Sequence, residues 1–241
     1  MNRNALIFDI ETIGDLTPEN GDAIAAVAAG REQTPETYAA LCPPLARVVC
    51  IACFDLGSQK LDACFDASLC ADEVPSTVEV DDGTAARNRV ACDLQNCAGE
   101  AAVLREFGRR VERHLGQPDS QLVTYNGRGF DLPVLIHRSI KHGVTEGRAL
   151  LVKAMGENRY RAVTHLDLME VVTFNGASSR WPLATYAMGY GLQSPKTEMD
   201  GARVSAAVQA GRIIDVARYC ARDVLATVQV YHRTSGLLTT G

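Results

Sequence analysis

Two carboxylates spaced one residue apart close the first apolar segment of the chain, Asn4 to Thr12. An apolar run of this length predicts a buried β-strand. Side chains alternate between the faces of a strand, so Asp9 and Glu11 point the same way. Burying two like charges side by side is costly unless a cation neutralises them. The pair therefore indicates a site for a hard metal ion. The alternative is a polar strand end that turns into solvent.

A third acidic residue lies where a strand and a glycine loop lead into a helix. The segment Leu122–Tyr125 predicts a short buried strand, and Asn126–Gly129 follows it as a loop. Asp131 comes next, at the predicted start of a helix, where an aspartate also serves as an N-cap. Gly127 and Gly129 would let the backbone approach a ligand closely. Asp131 is therefore either a site residue or a helix cap.

A tyrosine and a fourth acidic residue share one face of the long helix predicted over Ile213–Arg233. Tyr219 and Asp223 are four residues apart, which brings side chains together on a helix. The alternative is a tyrosine packed over the core beside a solvated Asp223 that pairs with Arg218 or Arg222. Alone, this pair does not separate a site from a helix surface.

The elements that must position these residues alternate between strand and helix patterns. We expect a strand hairpin, several helices, and a short strand end around Thr164–Leu168, in which His165 and Asp167 are structural residues rather than ligands. One or two short helices are expected between Pro18 and Leu41. Residues 67–97 are polar and predict an irregular surface insertion. The hairpin is predicted at Ala46–Asp55 and Lys60–Asp66, and the helices at Glu100–Leu115, Leu132–His142, Leu183–Met188, Val204–Ala210 and Ile213–Arg233. This order predicts an α/β fold, a mixed sheet with helices on its faces, as a single domain over residues 1–241.

Composition and charge limit the classes of function. The chain has 241 residues, of which 46% are hydrophobic and 22% charged, enough for a sizeable core. No apolar run has membrane-spanning length, and no secretion signal precedes the first strand, so we expect a cytoplasmic protein that is not membrane-bound. A net charge of −5 argues against a protein that coats nucleic acid through a broad basic surface. It does not argue against a metal-dependent nuclease, whose site needs acidic residues.

Eight cysteines raise the question of disulfides or a zinc site. Cys50 and Cys53 have the spacing of half a zinc site, but they lie within one predicted strand. Their sulfurs would then face opposite sides of the sheet and could not share an ion. We therefore predict reduced thiols that serve as small core residues.

The acidic segments together are similar to a known family. Three short motifs occur in this order: Asp9-x-Glu11 on a strand, Asn126-Gly127-x-x-Phe130-Asp131 in a loop and Tyr219-x-x-x-Asp223 on a helix. The chain resembles the DEDD superfamily of 3′–5′ exonucleases in its tyrosine-containing (DEDDy) branch. More narrowly, it resembles predicted exonucleases related to the proofreading domain of family-B DNA polymerases. The resemblance is closest over Leu122–Leu135 and Arg218–Thr227, and weakest over residues 14–41 and 67–97.

The resemblance implies a fold, a site and a reaction. The fold would be ribonuclease-H-like, with a five-stranded mixed sheet flanked by helices. The four acids would hold two Mg²⁺ or Mn²⁺ ions, with Asp9 as the bridging ligand. With these ions the protein would hydrolyse phosphodiester bonds at the 3′ end of single-stranded DNA or RNA. Tyr219 would position the attacking water, because a tyrosine with a pKa near 10 is a poor base. The implied metal ligands are Asp9, Glu11, Asp131 and Asp223, and the implied contacts to the 3′-terminal nucleotide are Asn126 and Phe130.

Several alternatives stay open at this point. Phe130 would either stack on a base or anchor the helix start, and Arg128 and Lys196 would either contact phosphates or be solvated. The chain would otherwise be a non-catalytic nucleic-acid-binding scaffold of the same fold, or an RNase-H-like endonuclease. The sequence does not separate DNA from RNA. A proofreading role would require a polymerase or repair partner in trans.

Overall fold

The computed structural model describes residues 4–82, 88–158, 163–192, 199 and 201–237, so Lys196 lies outside the described residues. Within these ranges the strands are β1 (Asn4–Gly14), β2 (Ala46–Asp55), β3 (Lys60–Asp66), β4 (Thr77–Asp81), β5 (Arg89–Cys97), β6 (Ser120–Thr124) and β7 (His165–Asp167). The helices are α1 (Gly21–Ala29), α2 (Pro35–Leu41), α3 (Glu100–Leu115), α4 (Asp131–Lys141), α5 (Arg148–Gly156), α6 (Leu168–Val172), α7 (Leu183–Gly189), α8 (Gly201–Gln209) and α9 (Ile213–Thr234). No helix in the described ranges is both long and apolar enough to cross a bilayer.

The strands form one mixed sheet in the order β4-β5-β3-β2-β1-β6-β7. β1 pairs antiparallel with β2 and parallel with β6, so it lies inside the sheet and is hydrogen-bonded on both sides. β6 and β7 are parallel, and β3 pairs antiparallel with β2 and parallel with β5. The C-terminal ends of β1 and β6 therefore lie at the same edge of the sheet. Asp9, Glu11 and the loop after β6 are at this edge.

Each face of the sheet buries its own core. Ala5 and Ile7 lie on one face and pack with α9, in what we call the α9-side core. Leu6 and Phe8 lie on the other face and pack with α3 and α4, in the α3-side core. Phe8 contacts Phe107 of α3 with ring centroids 4.9 Å apart. The alternation along β1 places Asp9 and Glu11 on the same face as Ala5 and Ile7, which is the face covered by α9.

The structure confirms the predicted α/β class with helices on the sheet, and it corrects the strand count. The sheet has seven strands in the described residues rather than five, because residues 67–97 are not an irregular insertion. They contain β4 and β5, which extend the sheet beyond β3. Val78 and Val80 of β4 are buried while the residues beside them face outward. This alternation, in a short and otherwise polar segment, is the strand signal that the composition obscured.

All eight cysteines are free thiols. Cys50 lies in the α9-side core and Cys53 in the α3-side core, so their sulfurs face opposite sides of the sheet as predicted. Both side chains are fully buried in β2. They act as small core residues at the centre of the sheet.

Candidate metal centre

The first two acids lie on the α9 side of β1, at the end of its buried stretch. Asp9 is half-buried, and Glu11 is buried at 8% exposure. Directly after Glu11 the pairing with β2 shifts by one residue, since Glu11 faces Cys50 and Thr12 faces Val48. Such a bulge bends a strand locally and re-aims its side chains. The pair thus sits where the regular ladder ends, with both carboxylates turned toward α9.

Helix α9 brings the next two residues to this face. The Tyr219 hydroxyl donates a hydrogen bond to the Asp223 carboxylate, one helical turn along. Between them, the Cys220 thiol lies 3.3 Å from the Asp9 carbonyl oxygen and 3.8 Å from its Oδ2. One ligand atom each from Asp9, Glu11 and Cys220 lie within 4.8 Å of one another. The helix is therefore packed directly against the two acids of β1.

Asp131 enters the centre from the opposite side of the sheet. It is the first residue of α4, and Phe130 occupies the N-cap position, so the interpretation of Asp131 as the N-cap is wrong. Its side chain is only 4% exposed, and its Oδ1 has no hydrogen-bond partner among the described residues. Its charge acts directly on Asp9. A buried carboxylate oxygen without a donor is unusual and needs a reason, such as a ligand.

Burial raises the pKa values of all four acids, and the neighbouring acids of the centre raise those of Asp9 and Glu11 further. Burial raises the pKa of Asp131 to about 7, and burial raises that of Asp223 to about 6 despite the hydrogen bond from Tyr219. The pKa values of Asp9 and Glu11 rise well above their usual range through burial first and then through the neighbouring carboxylates. Four clustered carboxylates that resist ionisation without a counter-charge are suited to hard divalent ions such as Mg²⁺ or Mn²⁺. The donor set and the unpartnered Asp131 oxygen therefore fit the predicted metal.

The hydroxyl of Tyr219 stays protonated in this setting. Burial raises its pKa above the ordinary value of 10, and the nearby charges of Asp223 and Glu11 raise it further. A hydroxyl with a raised pKa donates and accepts hydrogen bonds but does not take up a proton as a base. The geometry therefore suits orientation of a water molecule rather than its deprotonation.

The side chain of Asp167 holds the loop that carries Asn126. Asn126 adopts a left-handed backbone with φ +65, which an asparagine tolerates. The carboxylate of Asp167 accepts the backbone N–H groups of Asn126 at 2.8 Å, Arg128 at 3.0 Å and Met169 at 2.9 Å. His165 is buried beside it, with Nε2 2.8 Å from Thr124 Oγ1. His165 and Asp167 thus support the loop rather than bind a ligand, as their place at a strand end predicted.

The two loop glycines have neighbours within the chain itself. A Cβ at Gly127 would lie 2.2 Å from Thr124 Oγ1, and one at Gly129 would lie 2.8 Å from Asn126 Oδ1. Both glycines thus have a role within the chain, and the close approach of a ligand to this loop stays a prediction. They let the chain fold tightly back over the end of β6, which fixes Asn126 and the start of α4.

Arg128 and Phe130 both make contacts inside the protein. The Arg128 guanidinium donates to the carbonyl oxygens of Met155 at 3.0 Å and Glu157 at 3.3 Å, and it pairs with Glu170 at 3.3 Å. Arg128 is thus not a solvated charge, so that expectation is wrong, while its contact with a phosphate stays a prediction. Phe130 is half-buried and packs against the α3-side core, which favours the anchoring role.

Cys220 and Asp167 are the residues around the centre that sequence reasoning did not assign to it. Cys220 was predicted only as a core thiol, and its contact with Asp9 depends on how α9 crosses β1. One signal existed, because Cys220 lies next to Tyr219 on a helix face that turns toward the sheet. The support that Asp167 gives to the Asn126 loop has no local signal, since its partners lie about 40 residues earlier in the chain.

Comparison with known proteins gives one match. A family model described as "Predicted 3'-5' exonuclease related to the exonuclease domain of PolB" matches residues 75–240, more than half of the chain. None of the curated proteins compared with the chain matches it. The matched region contains Asp131, Tyr219 and Asp223. Asp9 and Glu11 precede it, and they join these residues through the pairing of β1 with β6 and the packing of α9 on β1.

Proposed function

The chain belongs to the family of predicted 3′–5′ exonucleases related to the exonuclease domain of PolB, and from this premise we propose that it is a metal-dependent exonuclease. It would hydrolyse phosphodiester bonds one at a time from the 3′ end of single-stranded DNA or RNA. One observation carries the proposal: four carboxylates from β1, α4 and α9 converge, and a buried oxygen of Asp131 has no hydrogen-bond partner among the described residues. A purely structural cluster would not gather like charges in this way.

The four acids have separate roles in this proposal. Asp9 would be the ligand shared by the two ions, as the family resemblance implies, and the charges of Asp131 and Asp223 act on both Asp9 and Glu11. Glu11, Asp131 and Asp223 complete the two coordination shells. When bound, two divalent ions activate a water, neutralise charge at phosphorus and stabilise the leaving 3′ oxygen. The chain supplies no imidazole to this set in the described residues, which agrees with a preference for Mg²⁺ or Mn²⁺ over softer metals.

The tyrosine and the loop position the reacting groups. Tyr219, with its hydroxyl protonated and fixed on Asp223, would orient the attacking water by hydrogen bonding. Asn126 lines a small cavity of about 140 Å³ at the end of β6, together with Gly129 and Asp167. We propose that Asn126 and the exposed edge of Phe130 hold the 3′-terminal nucleotide. The support for this proposal is the loop that carries both residues, which Asp167 holds and which leads directly into Asp131.

The sheet supports a ribonuclease-H-like core. Five neighbouring strands in the order β3-β2-β1-β6-β7, with only β2 antiparallel to β1, would form that core, and β4 and β5 would be an extension at its edge. We propose that residues 1–241 belong to one exonuclease domain, because α9 returns to cover strands from the first half of the chain. A cytoplasmic location and a polymerase or repair partner in trans stay predictions.

The test uses matched linear and circular strands. Purified protein is incubated with Mg²⁺ or Mn²⁺ and with single-stranded DNA and RNA of the same sequence, each as a linear form and as a closed circle. We expect degradation of linear strands and intact circles, with the DNA and RNA rates assigning the substrate. Cleavage of the circles would favour the RNase-H-like endonuclease. Binding without cleavage of any strand would favour the non-catalytic scaffold.

A further inference from the structure

An arginine-rich cleft adjoins the metal centre on the outer side of α9. Its volume is about 490 Å³, which lies within the range of ligand-binding pockets of roughly 300–1,000 Å³. Among the described residues that line it, four arginines face one carboxylate, although the chain as a whole carries a net charge of −5. The cleft is lined by Met199, Arg203, Arg212, Asp215, Arg218, Tyr219 and Arg222. It is therefore a concentrated positive region on an acidic protein.

The cleft and the metal centre share one surface of α9. Asp215, Arg218, Tyr219 and Arg222 follow one another at helical spacing, so they lie on the same face. Tyr219 belongs to both regions, because it lines the cleft and its hydroxyl contacts Asp223. The charge of Arg222 also acts on Asp223. A molecule in the cleft would thus extend directly to the reacting end of the site.

The arginines are held in place but stay accessible. Arg218 donates to Asp215 at 3.0 Å, and Arg212 pairs with the same carboxylate at 3.6 Å. The side chains of Arg212 and Arg218 are nevertheless 57% and 42% exposed. Such exposed pairs contribute little to stability, so stability alone does not account for the cluster. Guanidinium groups fixed in a concave surface are suited to bind phosphates through paired hydrogen bonds.

We propose that this cleft binds the internucleotide phosphates of the substrate strand on the 5′ side of the bond that is cleaved. The inference rests on the proposed function, because an enzyme that acts on the last 3′ link has further phosphates only on the 5′ side. Phosphate contacts carry no base information, so binding here is independent of sequence. The substrate is then a single strand several nucleotides long, and short fragments lose the contribution of the cleft.

Binding measurements test the cleft without relying on cleavage. The variant Arg212→Gln/Arg218→Gln is compared with Arg109→Gln/Arg233→Gln, which removes the same charge from α3 and from the far end of α9. A fluorescent single strand of about a dozen nucleotides is titrated with each protein in Ca²⁺ over a range of salt. We expect the cleft variant to bind about tenfold more weakly, with the slope of log K against log salt reduced by ~1.4 for two lost phosphate contacts. Arg212→Lys/Arg218→Lys should recover most of the slope.

Two results of this titration would overturn the proposal. One is an unchanged affinity and slope in the Arg212→Gln/Arg218→Gln variant. The other is an equal loss in the control variant, which would assign the effect to net charge. Melting temperatures of all variants confirm that each is folded.

A substrate with a single phosphate separates the cleft from the metal centre. The nitrophenyl ester of thymidine 5′-monophosphate offers the reacting phosphate alone. We expect the Arg212→Gln/Arg218→Gln variant to cleave it as fast as wild type, while its kcat/KM on the longer strand falls about tenfold through KM. An equal loss on both substrates would place the arginines at the reacting phosphate and overturn the 5′-side assignment. Failure of wild type to cleave either substrate would contradict the proposed function, and the titration would still decide the cleft.

Discussion

Replacing Asp131 by asparagine should stabilise the protein in the absence of metal and weaken it in the presence of metal. Burial raises the pKa of Asp131 from 3.8 to about 7, so the folded state resists ionisation of this group. Between these values the folded protein holds a proton that the unfolded chain has lost. Stability must then fall as the pH rises toward 7, and it stays low above it.

The size of the effect follows from the same shift. A pKa shift of about three units corresponds to at most about 4 kcal/mol of stability, so we expect an effect of about 2–4 kcal/mol. A chain of this length changes its Tm by about 2–4 °C per kcal/mol. Metal-free Asp131→Asn should therefore melt at least about 4 °C higher than wild type near pH 8 and close to wild type near pH 4. Excess Mn²⁺ should raise the Tm of wild type and have little effect on the variant.

Differential scanning calorimetry with and without chelator measures both effects. Asp167→Asn is the matched control: burial raises the pKa of that carboxyl as well, but the carboxylate accepts three backbone N–H groups, so the variant should not gain the stability near pH 8 that Asp131→Asn gains. If Asp131→Asn lowers the Tm equally near pH 4 and near pH 8, Asp131 acts as a structural residue and the argument from the burial of its charge is refuted.

Three further substitutions probe the centre and its support. Asp223→Asn should lower Mg²⁺-dependent cleavage about a thousandfold or more with the fold intact, because a ligand that supports charge stabilisation is lost; a near-wild-type rate would remove Asp223 from the site. Tyr219→Phe should lower kcat about tenfold or more while the Kd for Mn²⁺, measured by titration calorimetry, stays within about twofold; an unchanged kcat would mean that the hydroxyl does not orient the water. Arg128→Met should cost about 1–3 kcal/mol of stability by removing the hydrogen bonds to two carbonyl groups and the ion pair with Glu170; an unchanged free energy of unfolding in urea would contradict the interior role of Arg128.

Local patterns predicted the elements that carry the acids. The hairpin of β2 and β3 and the helix α3 lie at the bounds expected from turn residues and apolar spacing. The alternation along β1 predicted that Asp9 and Glu11 share a face, and the covering of that face by α9 confirms it. These features depend on neighbours in sequence, which the chain displays directly.

The features that the sequence did not reveal depend on distant partners. β4 and β5 gain their stability by pairing with each other and with β3, so their polar outer residues hid the strand pattern. The interior role of Arg128 was not predicted, because its acceptors at Met155, Glu157 and Glu170 lie about 30 to 40 residues later in the chain. The arginine cleft arises only when α8 packs beside α9. Contacts of this kind follow from the tertiary fold rather than from local spacing.

The most direct measurement is the product ladder of a 5′-labelled linear single strand incubated with Mg²⁺ or Mn²⁺. Wild-type protein should shorten the strand from its 3′ end in single-nucleotide steps, and removal of the metal should stop it. Asp9→Asn, which alters the central carboxylate while keeping its shape, should leave the strand intact. An unshortened strand with folded wild-type protein and either metal, or the same ladder from Asp9→Asn, would contradict a metal-dependent exonuclease centred on Asp9.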